Sequence, residues 1–130
     1  MKLKGQVALV TGAARGIGLA HAVRLAKLGT DVVVNDINLE SFKEFDESLE
    51  AESVVALLES HGVRAMGIEA NVCDEQDAKG MVDQAAAEFG RLDILVNNAG
   101  GIAGLAKESY AATVSDEDIR NTVSYTHLRA

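Results

Sequence analysis

The sequence predicts an α/β domain on a doubly wound parallel sheet, cut off after about four strands in the order 3-2-1-4. Three observations carry this. Short, continuously apolar runs alternate with longer stretches of helical periodicity. The helical stretches end on glycines, at Gly29, Gly62 and Gly90. The first strand passes into the first helix through a glycine-rich turn, Thr11-Gly12-Ala13-Ala14-Arg15-Gly16-Ile17-Gly18. Regular strand–helix alternation implies parallel strands, right-handed crossovers and helices on both faces of the sheet.

The elements follow in order. Val7-Ala8-Leu9-Val10 is apolar throughout, as a strand covered on both faces must be. The next helix runs to about Leu28, with Gly18, Ala22, Leu25 and Ala26 on one face. Asp31 to Asp36 forms the second buried strand. A polar stretch leads to a helix carrying Ala51, Val54, Val55 and Leu58 at helical spacing. Val63 to Glu69 is the third strand. Asp74 caps a helix whose core face is Ala78, Met81, Val82, Ala85 and Phe89. Leu92 to Val96 is the fourth strand, and Ser115-Asp116-Glu117-Asp118 resembles a capping box opening a last helix.

Composition narrows the function. A hydrophobic share of 48% fits a globular domain rather than a disordered chain. No apolar run approaches the roughly 20 residues of a membrane helix. The residues Met1 to Gly5 lead straight into a strand, which leaves no room for a signal peptide, so a cytoplasmic protein is expected. The net charge of −8 and the absence of a basic cluster argue against nucleic acid as a partner. Cys73 is the only cysteine, so neither a disulfide nor a cysteine-rich metal site is expected, and no other metal site stands out. Its side chain is expected to be small and semi-buried.

The glycine turn is where chemistry enters. The free N–H groups and positive dipole end of a helix starting there face whatever occupies the turn, and that combination suits the pyrophosphate of a dinucleotide. The spacing G-x-x-x-G-x-G departs from the commoner G-x-G-x-x-G. A tight, close-packed turn with no ligand is the plain alternative. Asp36 ends the second strand at the same edge. A carboxylate there accepts both hydroxyls of an adenine ribose and repels a 2′-phosphate, which favours NAD over NADP. The acids Glu40, Glu44, Asp46, Glu47, Glu50 and Glu52 face only Lys43 and read mainly as a solvated surface. Arg15 reaches phosphate or faces solvent. Asn97-Asn98-Ala99-Gly100 directly follows the fourth strand and suits a turn that hydrogen-bonds nearby backbone beside a ligand. Because the strand order reverses between strands one and four, Gly12 to Gly18 and Asn97 to Gly100 should share one crevice.

Together, Thr11-Gly12-x-x-x-Gly16-x-Gly18, Asp36 and Asn97-Asn98-Ala99-Gly100 resemble the short-chain dehydrogenase/reductase family, a Rossmann-type fold, over roughly residues 4 to 123. Within it the chain looks most like the 3-oxoacyl-carrier-protein reductases. The resemblance implies an NAD(P)-dependent oxidoreductase transferring hydride between nicotinamide and a small carbonyl or alcohol substrate. It implies that Gly12, Gly16, Ile17 and Gly18 hold the pyrophosphate and Asp36 the adenosine ribose. Ala99 and Gly100 would lie beside the nicotinamide ribose, with Asn98 supporting strand four. Where the family has Asp-Val after strand three, this chain has Asn71-Val72, which implies weaker adenine recognition. The segment Leu39 to Glu50 is longer than usual. Phe42 and Phe45 within it either flank the adenine or, as expected here, pack an extra turn.

The same resemblance implies a serine and a Tyr-x-x-x-Lys pair, and no such pair lies within these 130 residues. Tyr110 is followed at that spacing by Val114, and Tyr125 by Arg129, so no catalytic residue is assigned. Thr126 stands where the family's catalytic asparagine would. Residues 1–123 are thus expected to be the N-terminal half of a dinucleotide-binding domain from a truncated reading frame, and Ser124 to Ala130 a non-native tail. An exposed outer edge on strand four would make such a fragment prone to aggregate. Full-length members are expected to be homo-oligomers.

Overall fold

The computed structural model describes residues 2–44 and 49–100. Over these it forms a four-stranded parallel sheet in the order β3-β2-β1-β4. The strands are β1 (Val7–Val10), β2 (Asp31–Asp36), β3 (Ala65–Glu69) and β4 (Ile94–Val96). The helices are α1 (Gly16–Lys27), α2 (Ser41–Glu44), α3 (Val54–Glu59) and α4 (Glu75–Phe89). Fold class and strand order are as the sequence predicts.

Each face of the sheet has its own core. On one face Val10, Val32 and Val34 pack with Ala22 and Ala26 of α1 and Val54 and Leu58 of α3. On the other, Val7, Leu9, Val33 and Ile68 pack with Met81 and Ala85 of α4. Successive strand residues point to opposite faces, so a strand feeding two cores must be apolar at every position. All of β1 is buried for that reason. Burying one such aliphatic side chain contributes about 1.5–3 kcal/mol, which makes this pair of layers the main stabilising feature.

The glycines end helices as expected. Gly90 adopts φ 75° as the left-handed cap of α4, and Gly29, just past α1, has φ 92°. At the other end of α4, the Asp74 carboxylate accepts the N–H groups of Gln76 and Asp77 at 2.9 and 3.0 Å.

Several boundaries differ from expectation. α3 starts at Val54, capped by Ser53, whose hydroxyl accepts the Ala56 N–H at 3.1 Å, so Ala51 lies outside the helix. A short-range hydrogen bond from Ser53 outweighs the apolar spacing that would include Ala51. The third strand begins at Ala65 rather than Val63, and the fourth at Ile94 rather than Leu92. In both, ladder pairing starts where β2 or β1 offers a partner, not where the apolar run begins. As expected, the polar stretch after β2 contains the extra turn α2, and Phe42 packs into the first core. Cys73 is exposed rather than semi-buried, because it lies in the turn between β3 and α4. Phe45, Asp46, Glu47, Tyr110, Ser115 to Asp118, Tyr125, Thr126 and the tail lie outside the described residues.

Candidate dinucleotide site at the carboxyl edge of the sheet

The parallel strands deliver their carboxyl ends to one edge. β1 ends at Val10, β2 at Asp36, β3 at Glu69 and β4 at Val96. The turn from Gly12 to Gly18, Asp36, Asn71-Val72 and Asn98 to Gly100 all follow directly from those ends, so the sheet gathers the residues singled out in the sequence along one rim.

The turn is packed without slack. Gly12 and Gly16 adopt φ 64° and 59°, a region that disfavours any residue with a Cβ. A Cβ on Gly12 would stand 2.8 Å from Ala99 Cα. One on Gly18 would collide with the Gly12 carbonyl oxygen and the Asn98 side chain. Gly16 differs: a Cβ there would meet nothing within 4 Å. Two glycines therefore serve protein-to-protein approach, and the third opens onto free space.

Thr11 joins the two loops. Its buried hydroxyl accepts the N–H groups of Asn98 at 3.1 Å and Ala99 at 3.0 Å, and donates to the Val96 carbonyl at 3.4 Å. Asn98 returns the tie, its amide donating to the Gly12 carbonyl at 3.2 Å. The crevice predicted between strands one and four is thus held by hydrogen bonds from both sides. Sequence reasoning quoted Thr11 without giving it this role. Its signal was a hydroxyl residue ending an otherwise apolar strand.

On the β2 side, the Asn35 carbonyl accepts the Ala13 N–H at 2.8 Å and an Asp36 carboxylate oxygen accepts the Ala14 N–H at 3.1 Å. The buried Asn35 side chain donates to the carbonyls of Ile68 and Ala70, both at 3.1 Å, and so fixes the end of β3. Asn35 was also missed as a positioning residue. A lone amide within a valine-rich strand is the signal. Past β3, the Asn71 side-chain oxygen accepts the Cys73 N–H at 3.0 Å, and Val72 is buried in the second core. Asn71 thus shapes the turn as well as bordering the rim.

Among the described residues, the first N–H groups of α1 have no hydrogen-bond acceptor. Its first helical hydrogen bond runs from Leu19 N–H to the Arg15 carbonyl, so the N–H groups of Gly16, Ile17 and Gly18 precede the ladder. Arg15, half-buried at the cap position, gives no side-chain hydrogen bond to the helix start, and the first turn holds no acid. Ile17 is 71% exposed and Ile37, next to Asp36, is 62% exposed. Open space at Gly16, free amides with a positive dipole end and a carboxylate on the adjacent strand fit a dinucleotide. Among the described residues no cluster of His, Cys, Asp or Glu could hold a metal, and no helix is long and apolar enough to cross a membrane.

The shifted titrations lie at the opposite edge. Asp93 is held below the usual carboxylate range by its hydrogen bond from Arg91 and by the Val7 N–H, which outweigh the opposing effect of desolvation. Arg91 is raised in turn by the same partner.

The family model for short chain dehydrogenases matches residues 6–127. The chain belongs to that family. It is 45% identical over 131 residues to cyclohexanol dehydrogenase of Rhodococcus sp. strain TK6, covering 98% of this chain and 48% of that protein. A short chain dehydrogenase from Mycobacterium paratuberculosis bound to NAD superposes with a TM-score of 0.78 at 32% identity, covering 96% of this chain and 46% of that one. One from Burkholderia cenocepacia J2315 in complex with NADP gives 0.79 at 38% identity, with 96% and 46% covered. The chain spans about half the length of these relatives.

Proposed function

We propose that this chain carries the NAD-holding half of an oxidoreductase acting on a small carbonyl or alcohol substrate. The observation that carries the reading is the start of α1, where the N–H groups of Gly16, Ile17 and Gly18 stand ahead of the helical ladder with no side-chain cap from Arg15. In this reading Gly12, Gly16, Ile17 and Gly18 take the pyrophosphate, with Arg15 beside them. Asp36 receives the adenosine ribose, Asn71 and Val72 border the adenine, and Ala99 and Gly100 lie along the nicotinamide ribose. Asn98 holds the Gly12 carbonyl and so fixes the distance between the two halves of the site. NAD, when bound, supplies the hydride acceptor; the residues of this chain bind and orient it.

The solved relatives hold NAD in one case and NADP in the other, so the preference for NAD rests on the Asp36 carboxylate, which would repel a 2′-phosphate. The 130-residue chain contains no Tyr-x-x-x-Lys, and we assign it binding without turnover, residues 1–123 serving as half of a larger domain. The complete enzyme is then a cytoplasmic homo-oligomer. Fluorescence titration with NADH and NADPH tests this. The expected result is tighter binding of NADH by at least about tenfold, or 1.4 kcal/mol, and no carbonyl reduction. Equal affinities would remove the role of Asp36, and turnover by the 130-residue chain would overturn the assignment of binding alone.

A further inference from the structure

Among the described residues, three carboxylates in or beside the strands accept a backbone N–H from a neighbouring segment, and one of them has no salt bridge there. Asp31, at the start of β2, accepts the Arg64 N–H at 2.9 Å and pairs with the Arg64 guanidinium at 2.9 Å. Asp93, before β4, accepts the Val7 N–H at 2.8 Å and pairs with Arg91 at 2.7 Å. Asp36 accepts the Ala14 N–H at 3.1 Å and the Asn38 N–H at 3.4 Å, and has no lysine or arginine partner among the described residues. The segment it holds is itself buried: Ala13 and Ala14 are fully inaccessible, and their N–H groups both end on β2. A buried N–H that loses its acceptor makes the backbone around it shift.

We propose that Asp36 is a positioning residue for the glycine turn, in addition to facing the ribose. By holding the Ala14 N–H it fixes the chain immediately ahead of Arg15, and hence the direction in which the Gly16, Ile17 and Gly18 amides point. Cofactor preference and pyrophosphate binding are then coupled through one side chain: removing the charge alters preference, and removing the oxygen also displaces the turn. The proposal rests on the dinucleotide reading above, but the tie itself exists without cofactor.

Two substitutions separate the effects. Asp36→Asn removes the charge and keeps a carbonyl oxygen able to accept from Ala14. Asp36→Ala removes both. In the cofactor-free 130-residue chain, amide hydrogen exchange at Ala14 should stay slow in the native protein and in D36N and rise at least tenfold in D36A, with Val33 in the central sheet unchanged. In titrations, D36N should gain NADPH relative to NADH. D36A should lose at least tenfold for both. Unchanged exchange at Ala14 in D36A, or NADPH binding by D36A as tight as by D36N, overturns the positioning role and leaves Asp36 a charge selector only. Should Val33 also lose protection in D36A, Asp36→Ser, whose hydroxyl sits one bond short of the carboxylate oxygens, replaces it with the same expected outcomes. Failure of the native chain to bind NADH would count against the proposed function, and the exchange rates would still decide the Ala14 tie.

Discussion

Helices α1 and α4 both begin just beyond the carboxyl end of a strand, and their first turns are built in opposite ways. α4 satisfies its own start: Asp74 accepts two of its N–H groups, and Glu75 and Asp77 put negative charge on its dipole. α1 does neither. Its cap is an arginine whose side chain gives no capping hydrogen bond to the helix start, its first turn holds no acid, and the residue after Gly16 is an exposed isoleucine. A helix that closes its own amides contributes to stability alone. One that leaves them open sacrifices that contribution and keeps a place for an anion. The same sheet edge thus carries one structural start and one available for binding.

The comparison breaks most readily at Gly18. Gly18→Ala should destabilise the chain by about 3 kcal/mol or more, because its Cβ would push on the Gly12 carbonyl, a backbone atom. Urea unfolding measures this. Retained stability would mean that the turn is looser than its packing indicates.

A substitution within the first turn of α1 sharpens the contrast. Ile17→Asp should give α1 the charge that α4 already has, stabilising the helix by about 0.3–1 kcal/mol. The same change should weaken NADH binding by at least about tenfold, some 1.4 kcal/mol. Asp74→Ala should do the reverse, costing about 1 kcal/mol of stability and leaving NADH affinity unchanged. Paired unfolding and fluorescence titrations read both signs. Equal binding losses in the two variants would erase the distinction between the helix starts.

The smallest effect belongs to the opposite edge. Asp93 is depressed below its ordinary value of 3.8 in the folded chain. In that acid range the unfolded chain binds more protons than the folded one, so stability rises with pH there. The contribution of Asp93 is complete above the ordinary value and is lost as pH falls through the lower folded value. Asp93→Asn should therefore flatten the acid limb of a stability–pH profile slightly, with NADH binding untouched at neutral pH. A binding change at neutral pH would mean that the two edges communicate.

Much of this architecture is legible in the sequence. Apolar runs such as Val7 to Val10 require burial on both faces, and Gly29, Gly62 and Gly90 mark the ends of α1, α3 and α4. Both signals are local, so the sequence carries them directly. The candidate site is legible as residue types at strand ends, Gly12, Gly16, Gly18, Asp36 and Asn98, which the sheet brings to one rim. Other features needed three dimensions. Ala51 has helical spacing and lies outside α3, because the Ser53 cap decides where the helix starts. Phe42 packs as the sequence leads one to expect, and the tertiary structure adds the core it packs into, that of α1 and α3. Cys73 is exposed because of the turn that holds it, which composition does not register.

The sequence by itself determined the order of elements, the covering of both sheet faces and the family, since these depend on periodicity, glycine placement and short motifs. Only the tertiary structure decided how those motifs act together. Thr11 meets Asn98 and Ala99 across 87 and 88 positions of chain, and Asp36 meets Ala14 across 22. Such contacts exist because parallel pairing brings distant strand ends to one rim. No spacing rule contains them, and they turn a glycine-rich segment into a turn held from both sides.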